Sequence, residues 1–313
     1  MDTITVGIAG ITGKFGRCIL ARLLRNPGVK IRGYCRQFKN LPIALLHSDN
    51  VQIIKGQSDD LQKVRTFVTG CDVVICCYLG APALMVDGQK VLIDACELEG
   101  VPRYIASDYS LDYTKLEYGQ IPPKDAMKDI LAYLETKKVE GVHVMIGAFM
   151  ETLLSPFLGM YHASSHTLNY WGAGDEPWEV TTYQNAADFV ASVALDRDAV
   201  GFHRFIGDSK SIRQIAEAFE EVYGRKPGLN QYGDMKDLYS RLEELRQKDP
   251  SNIFSYLGFA YQYYAQTGQT AVLQEPETAG VTVPHVTFED FFRRHTLESI
   301  PSCIGRVGSN LAL

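Results

Sequence analysis

The fold is decided by the stretch Ile4-Thr5-Val6-Gly7-Ile8-Ala9-Gly10-Ile11-Thr12-Gly13-Lys14-Phe15-Gly16. Residues 3–10 form a short apolar strand pattern, and the glycines at 10, 13 and 16 stand where that strand gives way to a helix. Glycine at these positions lets backbone amides approach a pyrophosphate closely, while the helix dipole favours its negative charge. Turns also collect glycine for steric reasons alone, so the surrounding pattern has to support this interpretation.

Five further alternations of strand and helix follow the glycine turn. Residues 73–77 are entirely apolar, as expected of a strand that is buried on both faces. Alternating strands and helices imply parallel pairing through right-handed crossovers. We therefore expect an α/β fold in which residues 1–150 form a doubly wound parallel Rossmann sheet that binds a dinucleotide. The other predicted strands span 29–35, 51–54, 103–106 and 142–146, and the predicted helices span 14–25, 61–68, 89–99 and 124–137.

Residues 151–313 are expected to form a smaller, mainly helical substrate region at the carboxyl edge of the sheet. Helical periodicity recurs at 186–196, 211–223 and 236–247. The dense aromatic residues of this region have two interpretations, because an apolar pocket and ordinary helix packing share the same composition. Six of them suit a flat apolar substrate: Tyr161, Trp171, Trp178, Tyr183, Phe254 and Tyr256.

Charge and hydropathy exclude several classes of protein. The formal net charge of -6 arises from mixed signs, with no lysine or arginine block able to neutralise a row of phosphates. No segment approaches 18 uninterrupted apolar residues, and the N-terminus lacks the pattern of a secretory signal. We expect a cytoplasmic protein without nucleic-acid or membrane partners.

Cysteines and histidines give no indication of a metal site. The seven cysteines are odd in number and lack the paired spacing of zinc ligands, so they are expected to be reduced and mostly buried. His162 and His166 are four apart, but no Glu or Cys nearby completes a ligand set. His143 lies within an apolar strand and is expected to be a hydrogen-bonded core histidine.

Arg36 follows the second predicted strand, where the adenosine ribose of a bound dinucleotide is read. An acidic residue there would accept the ribose hydroxyls of NAD, whereas arginine pairs with a 2'-phosphate. NADPH is therefore the expected cofactor. Lys14 and Lys39 are candidates for adding charge to the same phosphate, with a solvated loop cation as the alternative role for all three.

The ends of the fourth and fifth strands supply further candidates, because ligands of open parallel sheets bind at the carboxyl edge. Cys77, Tyr78 and Ser107 are expected to contact the cofactor, together with Thr12 and Phe15 of the turn. A thiol without an adjacent base is expected to pack rather than to act as a nucleophile.

Tyr109, just past the fifth strand, is a candidate hydroxyl donor to the substrate. Ser and Asp beside it are also common turn formers, which is the alternative explanation for this segment.

Several stretches occur together in one known family: the glycine turn, Arg36, Gly56, the apolar strand 73–77, Gly100-Val101-Pro102-Arg103-Tyr104-Ile105-Ala106-Ser107-Asp108-Tyr109, Gly147-Ala148-Phe149-Met150-Glu151, Ala187-Asp188-Phe189-Val190 and residues 201–224. The chain resembles the NmrA-like, isoflavone-reductase-like branch of the atypical short-chain dehydrogenases over nearly its whole length. The resemblance implies the fold and the cofactor. It is less specific for the reaction, because the family mixes reductases with proteins that sense the nucleotide ratio.

The chain departs from the pattern of its relatives in two places. Family members often carry Gly-Asp after the third strand, where this chain has Gly56-Gln57-Ser58, which puts adenine contact there in doubt. Tyr133 and Lys137 match the Tyr-x-x-x-Lys spacing of the larger short-chain group, but they lie too near a helix end. We interpret that match as coincidence.

The resemblance implies a catalytic lysine on the helix after the fifth strand, which selects Lys128 or Lys124. Lys128 is the first choice, and Lys124 is the alternative because extra residues precede Gly141. Such a lysine can hold the nicotinamide ribose, polarise a carbonyl or relay a proton. A solvated helix lysine is the competing interpretation.

Three functions fit these residues. The first is an NADPH-dependent reductase of a carbonyl or activated double bond in an aromatic, quinone-like or polyketide-type molecule, as in secondary metabolism. The second is a regulatory protein that senses NADP(H) without turnover, and the third is a redox-neutral isomerase or dehydratase. Fold alone does not choose among them, and homodimer formation is left open.

Overall fold

The computed structural model describes residues 3–38, 41–46, 48–274, 278 and 283–307. The strands are β1 (Ile4–Ala9), β2 (Val29–Cys35), β3 (Val51–Lys55), β4 (Val73–Cys76), β5 (Arg103–Ile105), β6 (Glu140–Met145), β7 (Ala148–Phe149), β8 (Tyr161–His162), β9 (Thr167–Trp171), β10 (Pro177–Thr181), β11 (Gly201–Arg204), β12 (Asp208–Ser211) and β13 (Gly228–Gly233). The helices are α1 (Lys14–Leu23), α2 (Ile43–Leu46), α3 (Leu61–Val68), α4 (Gln89–Leu98), α5 (Pro122–Leu134), α6 (Met150–Leu153), α7 (Tyr183–Leu195), α8 (Ile212–Tyr223), α9 (Met235–Lys248), α10 (Leu257–Gln266), α11 (Phe288–Arg293) and α12 (Cys303–Arg306).

Seven parallel strands form the main sheet in the order β11-β6-β5-β4-β1-β2-β3. The strand order reverses between β1 and β4, because the chain runs outward from β1 to β3 and then crosses back to β4. Ligands of open α/β sheets bind at such a switch point, beyond the carboxyl ends of the strands. The predicted doubly wound Rossmann sheet is confirmed.

The sheet is buried on both faces. Ile8 belongs to a core cluster with residues of α1 and α7, while its neighbour Ala9 packs in a second cluster with α3 and α4. Successive strand residues point to opposite faces, so a strand covered on both sides is apolar throughout. This explains the uninterrupted apolar run at β4, whose four residues are all buried.

The chain beyond residue 150 divides its elements between two places. Helix α7 packs on α1, and β11 extends the main sheet beside β6, so part of this half belongs to the Rossmann layer. The remainder contains two three-stranded sheets, β12-β10-β7 and β13-β9-β8, along with α8–α12. The expectation of a mainly helical region missed these strands, because most have two to five residues and β13 lacks alternating burial.

Within the described residues, no helix is both long and apolar enough to cross a membrane.

Candidate functional site

The glycine turn brings β1, β4 and α1 together at the switch point. Gly10 has a φ of +78°, and a Cβ added there would lie 2.8 Å from the carbonyl oxygen of Cys77. A Cβ on Gly16 would lie 2.6 Å from the carbonyl oxygen of Gly10. Neither position has room for a side chain, so the backbone forms an open cradle at the end of β1.

Helix α1 begins directly after Gly13 without a side-chain cap. The Gly13 N–H donates to the carbonyl of Gly10 at 2.9 Å, which closes the turn. The N–H groups of a first helical turn have no intrahelical acceptors, and the helix dipole adds partial positive charge there. These N–H groups and the partial positive charge suit a pyrophosphate, whose binding here stays a prediction.

Two basic residues of α1 hold the turn to the end of the chain. Lys14 is exposed and donates to the carbonyl of Ile304 at 2.9 Å. Arg17 is buried, and its guanidinium donates to the carbonyls of Thr12 and, at 3.4 Å, of Val307. Arg17 is not among the residues predicted from the sequence. The feature that could have identified it is a charged residue on the buried side of an otherwise apolar helix.

Arg36 and Tyr78 lie on either side of the cradle. Arg36 is exposed immediately after β2, where a ribose phosphate was predicted to bind. Tyr78 follows β4, and its buried hydroxyl has no hydrogen-bond partner among the described residues. Burial raises the pKa of that hydroxyl, and the positive charge of Arg36 opposes the shift. An orphaned buried hydroxyl beside a glycine cradle is consistent with a ligand site; Lys39 lies outside the described residues.

Cys77 and Ser107 tie the strand ends together. The Cys77 N–H donates to the carbonyl of Ala9 at 2.8 Å. The Ser107 hydroxyl donates to the carbonyl of Tyr78 at 2.7 Å, and its N–H donates to Oε1 of Gln89 at 3.1 Å. These bonds place both residues in the floor of the site; direct cofactor contact by either remains a prediction.

Tyr109 occupies a strained position at the carboxyl edge. Its φ of +35° is uncommon for a residue with a side chain, and such outliers concentrate at functional sites. The hydroxyl donates to the carbonyl of Cys76 at 3.0 Å, and the ring packs edge-on to Phe15 with centroids 4.6 Å apart. Burial raises the pKa of this hydroxyl well above its usual value. The predicted hydroxyl donor is thus already engaged within the protein.

The two candidate lysines of α5 lie in different surroundings. The buried face of this helix carries Lys124, Met127, Ile130 and Leu134, which leaves Lys128 on another face. The Lys128 amine donates to the carbonyl of Leu116 at 2.5 Å and lies 4.2 Å from the centre of the exposed Tyr118 ring. Lys128, the first choice, thus contacts Leu116 and Tyr118, whereas Lys124 is on the buried face of the helix. Which of the two lysines is catalytic stays a prediction.

Lys124 is 4% exposed and lies beside the end of β5. Its amine donates to the hydroxyl of Ser110 and stands 5.5 Å from the centre of the Tyr261 ring. Burial lowers the pKa of Lys124 to about 8, and the negative charge of Asp108 opposes that shift. An amine with this pKa supplies both an ammonium and a free amine near neutral pH.

A buried polar cluster lies next to Lys124. Oδ2 of Asp108 is 2.7 Å from Nδ1 of His143 and accepts from the Tyr113 hydroxyl at 3.0 Å. His143 is thus a hydrogen-bonded core histidine, as predicted. The sequence interpretation did not foresee that its partner would be Asp108; a polar pair contributed by two adjacent apolar strands is the available signal.

The Tyr133–Lys137 pair is remote from these residues. The Tyr133 hydroxyl donates to Asp94 at 2.7 Å, and the Lys137 amine lies 2.7 Å from the same carboxylate. The interpretation of this spacing as coincidence agrees with their place on the helical surface.

The aromatic residues of the second region divide between core and surface. Tyr161, Trp178 and Tyr256 are buried in the packing of that region, and Phe254 is 77% exposed. Tyr183 stacks on Phe149 with centroids 3.8 Å apart, and both rings contact Phe15 of the glycine turn. Only part of the predicted aromatic set therefore lies near the site.

Histidine and cysteine geometry gives no metal centre. His162 ends β8, and His166 lies in a turn with a φ of +48°, so the two do not share a helical face. The described residues contain no group of three His, Cys, Asp or Glu that could hold a metal ion. None of the seven cysteines, which all lie in the described part of the chain, forms a disulfide, and six of them are buried, with Cys77 half-buried.

Three solved structures share the fold. An isoflavone reductase has a TM-score of 0.73 at 16% identity, covering 94% of this chain and 99% of that one. The NADPH complex of leucoanthocyanidin reductase from Vitis vinifera has a TM-score of 0.68 at 15% identity, covering 93% and 98%. NmrA, a negative transcriptional regulator, has a TM-score of 0.59 at 16% identity, covering 74% and 75%.

Two relatives resemble part of the sequence. The oxidoreductase aprR of Aspergillus flavus is 28% identical over 128 residues, 39% of this chain and 41% of that protein. An NmrA-like family domain-containing oxidoreductase of Gibberella moniliformis is 26% identical over 180 residues, 56% and 58% of the two chains. The alignments thus span about half the length of these relatives.

The NmrA-like family matches residues 2–289, from the first strand to the start of α11. This match includes the glycine cradle, the strand ends and the polar cluster around Lys124. The chain therefore belongs to the NmrA-like family.

Proposed function

We propose that the chain is an NADPH-dependent reductase in which Lys124 protonates or polarises the reacting group of the substrate. The observation that carries this proposal is the buried Lys124 amine, which donates to Ser110 in the segment that follows β5, while the glycine cradle follows β1 of the same parallel sheet. Burying an amine costs free energy, and buried groups with a shifted pKa are often catalytic.

The cradle, Tyr78 and Arg36 would hold the cofactor. The pyrophosphate would lie against Gly10, Gly13 and the first turn of α1, where the backbone admits close approach. Arg36, exposed after β2, would pair with the 2'-phosphate that distinguishes NADPH from NADH. A bound nicotinamide supplies hydride to the substrate.

Lys124 would act on the oxygen at which negative charge develops. Its ammonium can hydrogen-bond to that oxygen and transfer a proton to it, and the Ser110 hydroxyl holds the amine in position. Because burial lowers the pKa of Lys124 to about 8, the proton is released readily near neutral pH. General acid catalysis of this kind contributes roughly 10²- to 10⁴-fold in rate.

The substrate class is proposed from the surroundings of Lys124. The Tyr261 ring lies under the amine, and Phe157 packs edge-on to Tyr261 with centroids 6.3 Å apart. Phe157 is 43% exposed, so this surface is open to an apolar partner. A carbonyl or activated double bond in an aromatic, quinone-like or polyketide-type molecule fits an amine flanked by such rings.

Sensing of NADP(H) without turnover is the second candidate. The hydroxyls of Ser107 and Tyr109 are both bonded to backbone carbonyls, which leaves fewer donors for chemistry. The fold is also shared with NmrA, a negative transcriptional regulator. A sensor would bind NADPH tightly and oxidise none of it.

Nucleotide titration followed by turnover assays separates the two candidates. Purified protein is titrated with NADPH and NADH, and its NADPH complex is then incubated with quinones and aromatic ketones while nicotinamide absorbance is recorded. Tighter NADPH binding with cofactor consumption would support the reductase. Tight binding without oxidation across the panel would favour the sensor, and equal affinity for both nucleotides would remove the role of Arg36.

A further inference from the structure

Asp108 is a carboxylate enclosed by the protein, with its side chain 1% exposed. One oxygen is bonded to His143 and Tyr113, while the other, Oδ1, is buried without a hydrogen-bond partner among the described residues. A carboxylate taken out of water is costly unless an opposite charge or several donors compensate it. The unpaired Oδ1 therefore indicates that its charge is compensated by a positive group that does not touch it, or by a group on a bound ligand.

The strained turn after β5 points Asp108 and Ser110 into the same polar region. Tyr109, between them, has a φ of +35° and directs its own ring toward Phe15 and Cys76. Ser110 accepts from the Lys124 amine, and Asp108 lies two residues before Ser110 in the same turn. The negative charge of Asp108 raises the pKa of that amine. The turn thus places a fixed negative charge beside a buried positive one.

Residues of two other elements hold this charge in place. His143 is on β6, next to β5 in the sheet, and is 3% exposed; Tyr113, in the loop before α5, is fully buried. The Tyr113 hydroxyl also lies 3.3 Å from Nδ1 of His143, so the three side chains form one closed set of contacts. Because Oδ2 of Asp108 contacts both of these side chains, the carboxylate cannot turn freely, and the direction of Oδ1 is fixed as well.

We propose that Asp108 is a positioning residue: held by His143 and Tyr113, its carboxylate keeps Lys124 in the ammonium form until the substrate oxygen takes the proton. This inference rests on the proposed function only in naming that oxygen as the proton acceptor. If a bound nicotinamide supplies hydride to the substrate carbon, the Lys124 N–H bond would break as an O–H bond forms on the substrate oxygen. The lysine is left as a neutral amine and regains its proton from water.

The charge balance around Lys124 sets the expected effect of losing Asp108. Tyr261 of α10 and Met127 of α5 face the amine without charge, and Ser110 accepts its hydrogen bond. Burial lowers the pKa of Lys124, and Asp108 raises it. In Asp108→Asn the burial effect is unopposed, so the pKa of Lys124 falls and the amine loses its proton at lower pH.

The direct test is a titration of Lys124 by NMR, which requires no turnover. The chain is labelled with ¹³C at lysine Cε, the Lys124 resonance is identified by its loss in Lys124→Met, and its shift is followed from pH 5 to 11. We expect a midpoint near pH 8 in the unmodified chain and a clearly lower midpoint in Asp108→Asn. An unchanged or higher midpoint in Asp108→Asn would overturn the proposal.

Asp112→Asn is the matched control. Asp112 is a buried carboxylate four residues along the same loop, and its Oδ1 accepts from the N–H and hydroxyl of Thr114. An asparagine oxygen can accept the same two bonds, so this variant removes a nearby charge without removing contacts. The Lys124 midpoint should stay as in the unmodified chain; a shift as large as that of Asp108→Asn would mean that general loss of charge explains the result.

Two further measurements complete the test. The first applies if Asp108→Asn does not fold, and the second distinguishes this inference from the proposed reductase function. If Asp108→Asn does not fold, the carboxyl carbon of Asp108 in the unmodified chain must report an ionised carboxylate while Lys124 titrates; a protonated carboxyl throughout would overturn the inference. Where turnover is found, Asp108→Asn should move the alkaline limb of the kcat profile by the same number of pH units as the NMR midpoint. An equal loss of kcat at every pH would indicate a merely structural residue, and absence of turnover with a shifted midpoint would remove only the proposed function.

Discussion

At the scale of single residues, the choice of nucleotide depends on one cation. Arg36 is exposed at the end of β2, one strand away from the glycine cradle. A guanidinium binds a phosphate through charge-assisted and often bidentate hydrogen bonds, whereas it gains little from ribose hydroxyls alone. We therefore expect Arg36 to discriminate between NADPH and NADH.

Arg36→Asp should weaken NADPH binding by about 1–3 kcal/mol and affect NADH much less, because the variant loses a charge-assisted pair and repels the 2'-phosphate. Isothermal titration with each nucleotide measures both affinities. Lys30→Asp is the control, since Lys30 is an exposed cation near the opposite end of the same strand. Equal weakening of both nucleotides by Arg36→Asp would contradict the assignment.

The site was only partly predictable from sequence at this scale. The glycines and Arg36 could be placed because they follow strands directly, and strand ends map to one edge of the sheet. The sequence alone does not choose between Lys124 and Lys128, because the choice depends on where α5 begins and which face it buries. Such a register is set by tertiary packing rather than by local propensity.

At the scale of elements, the junction of β1 and α1 requires glycine for reasons of space. The closest approach is at Gly16, where an added Cβ would lie 2.6 Å from a backbone oxygen that has no freedom to rotate away. The helix would have to move off the turn to relieve this contact, and the first-turn N–H groups would move with it.

Gly16→Ala should therefore lower NADPH affinity at least about tenfold, or roughly 1.4 kcal/mol, and reduce the melting temperature. Gly28→Ala provides the control, because the nearest contact of an added Cβ there would be a side-chain oxygen of Asn26 at 3.3 Å rather than backbone. Titration with NADPH and thermal unfolding of both variants check this. Unchanged affinity in Gly16→Ala would show that the cradle does not hold the cofactor.

The Rossmann elements were predictable because each buries a face with a clear period. Strand β4 and helices α1 and α3 were located nearly to the residue. The short strands β8–β10 and β12 were missed because polar residues interrupt them, so they show neither the uninterrupted apolar run of β4 nor a regular alternation of buried and exposed residues. Strand β13 was missed because five of its six residues are exposed on both sides of the strand.

At the scale of the whole molecule, a buried carboxylate links α6 to α7, the helix that packs on α1 of the Rossmann layer. Both oxygens of Glu151, at the start of α6, accept from the Tyr183 N–H at the start of α7, at 3.1 and 3.2 Å. Burial raises the pKa of Glu151 to about 7. Protein stability should therefore depend on pH through this one group.

The sign of that dependence follows from linkage. Between about pH 4.5 and pH 7 the folded chain holds a proton on Glu151 that the unfolded chain has released, so this group makes the free energy of unfolding fall as pH rises. Glu151→Gln removes the titration while its amide oxygen can still accept from Tyr183. The variant should lose this contribution, at most about 3 kcal/mol across the interval, as measured by urea unfolding at pH 5 and pH 7. An identical change in stability between these pH values in both proteins would contradict the burial of this carboxyl.

The role of Lys124 is tested by comparing NADPH oxidation by the unmodified chain, Lys124→Met and Lys128→Met with the same quinone or aromatic ketone. Methionine keeps the length of the side chain and removes the amine. We expect Lys124→Met to lower kcat by roughly 10²- to 10⁴-fold with little change in NADPH affinity. Lys128→Met should keep a kcat near that of the unmodified chain. Full activity in Lys124→Met, or a loss of kcat in Lys128→Met instead, would contradict the catalytic role of Lys124.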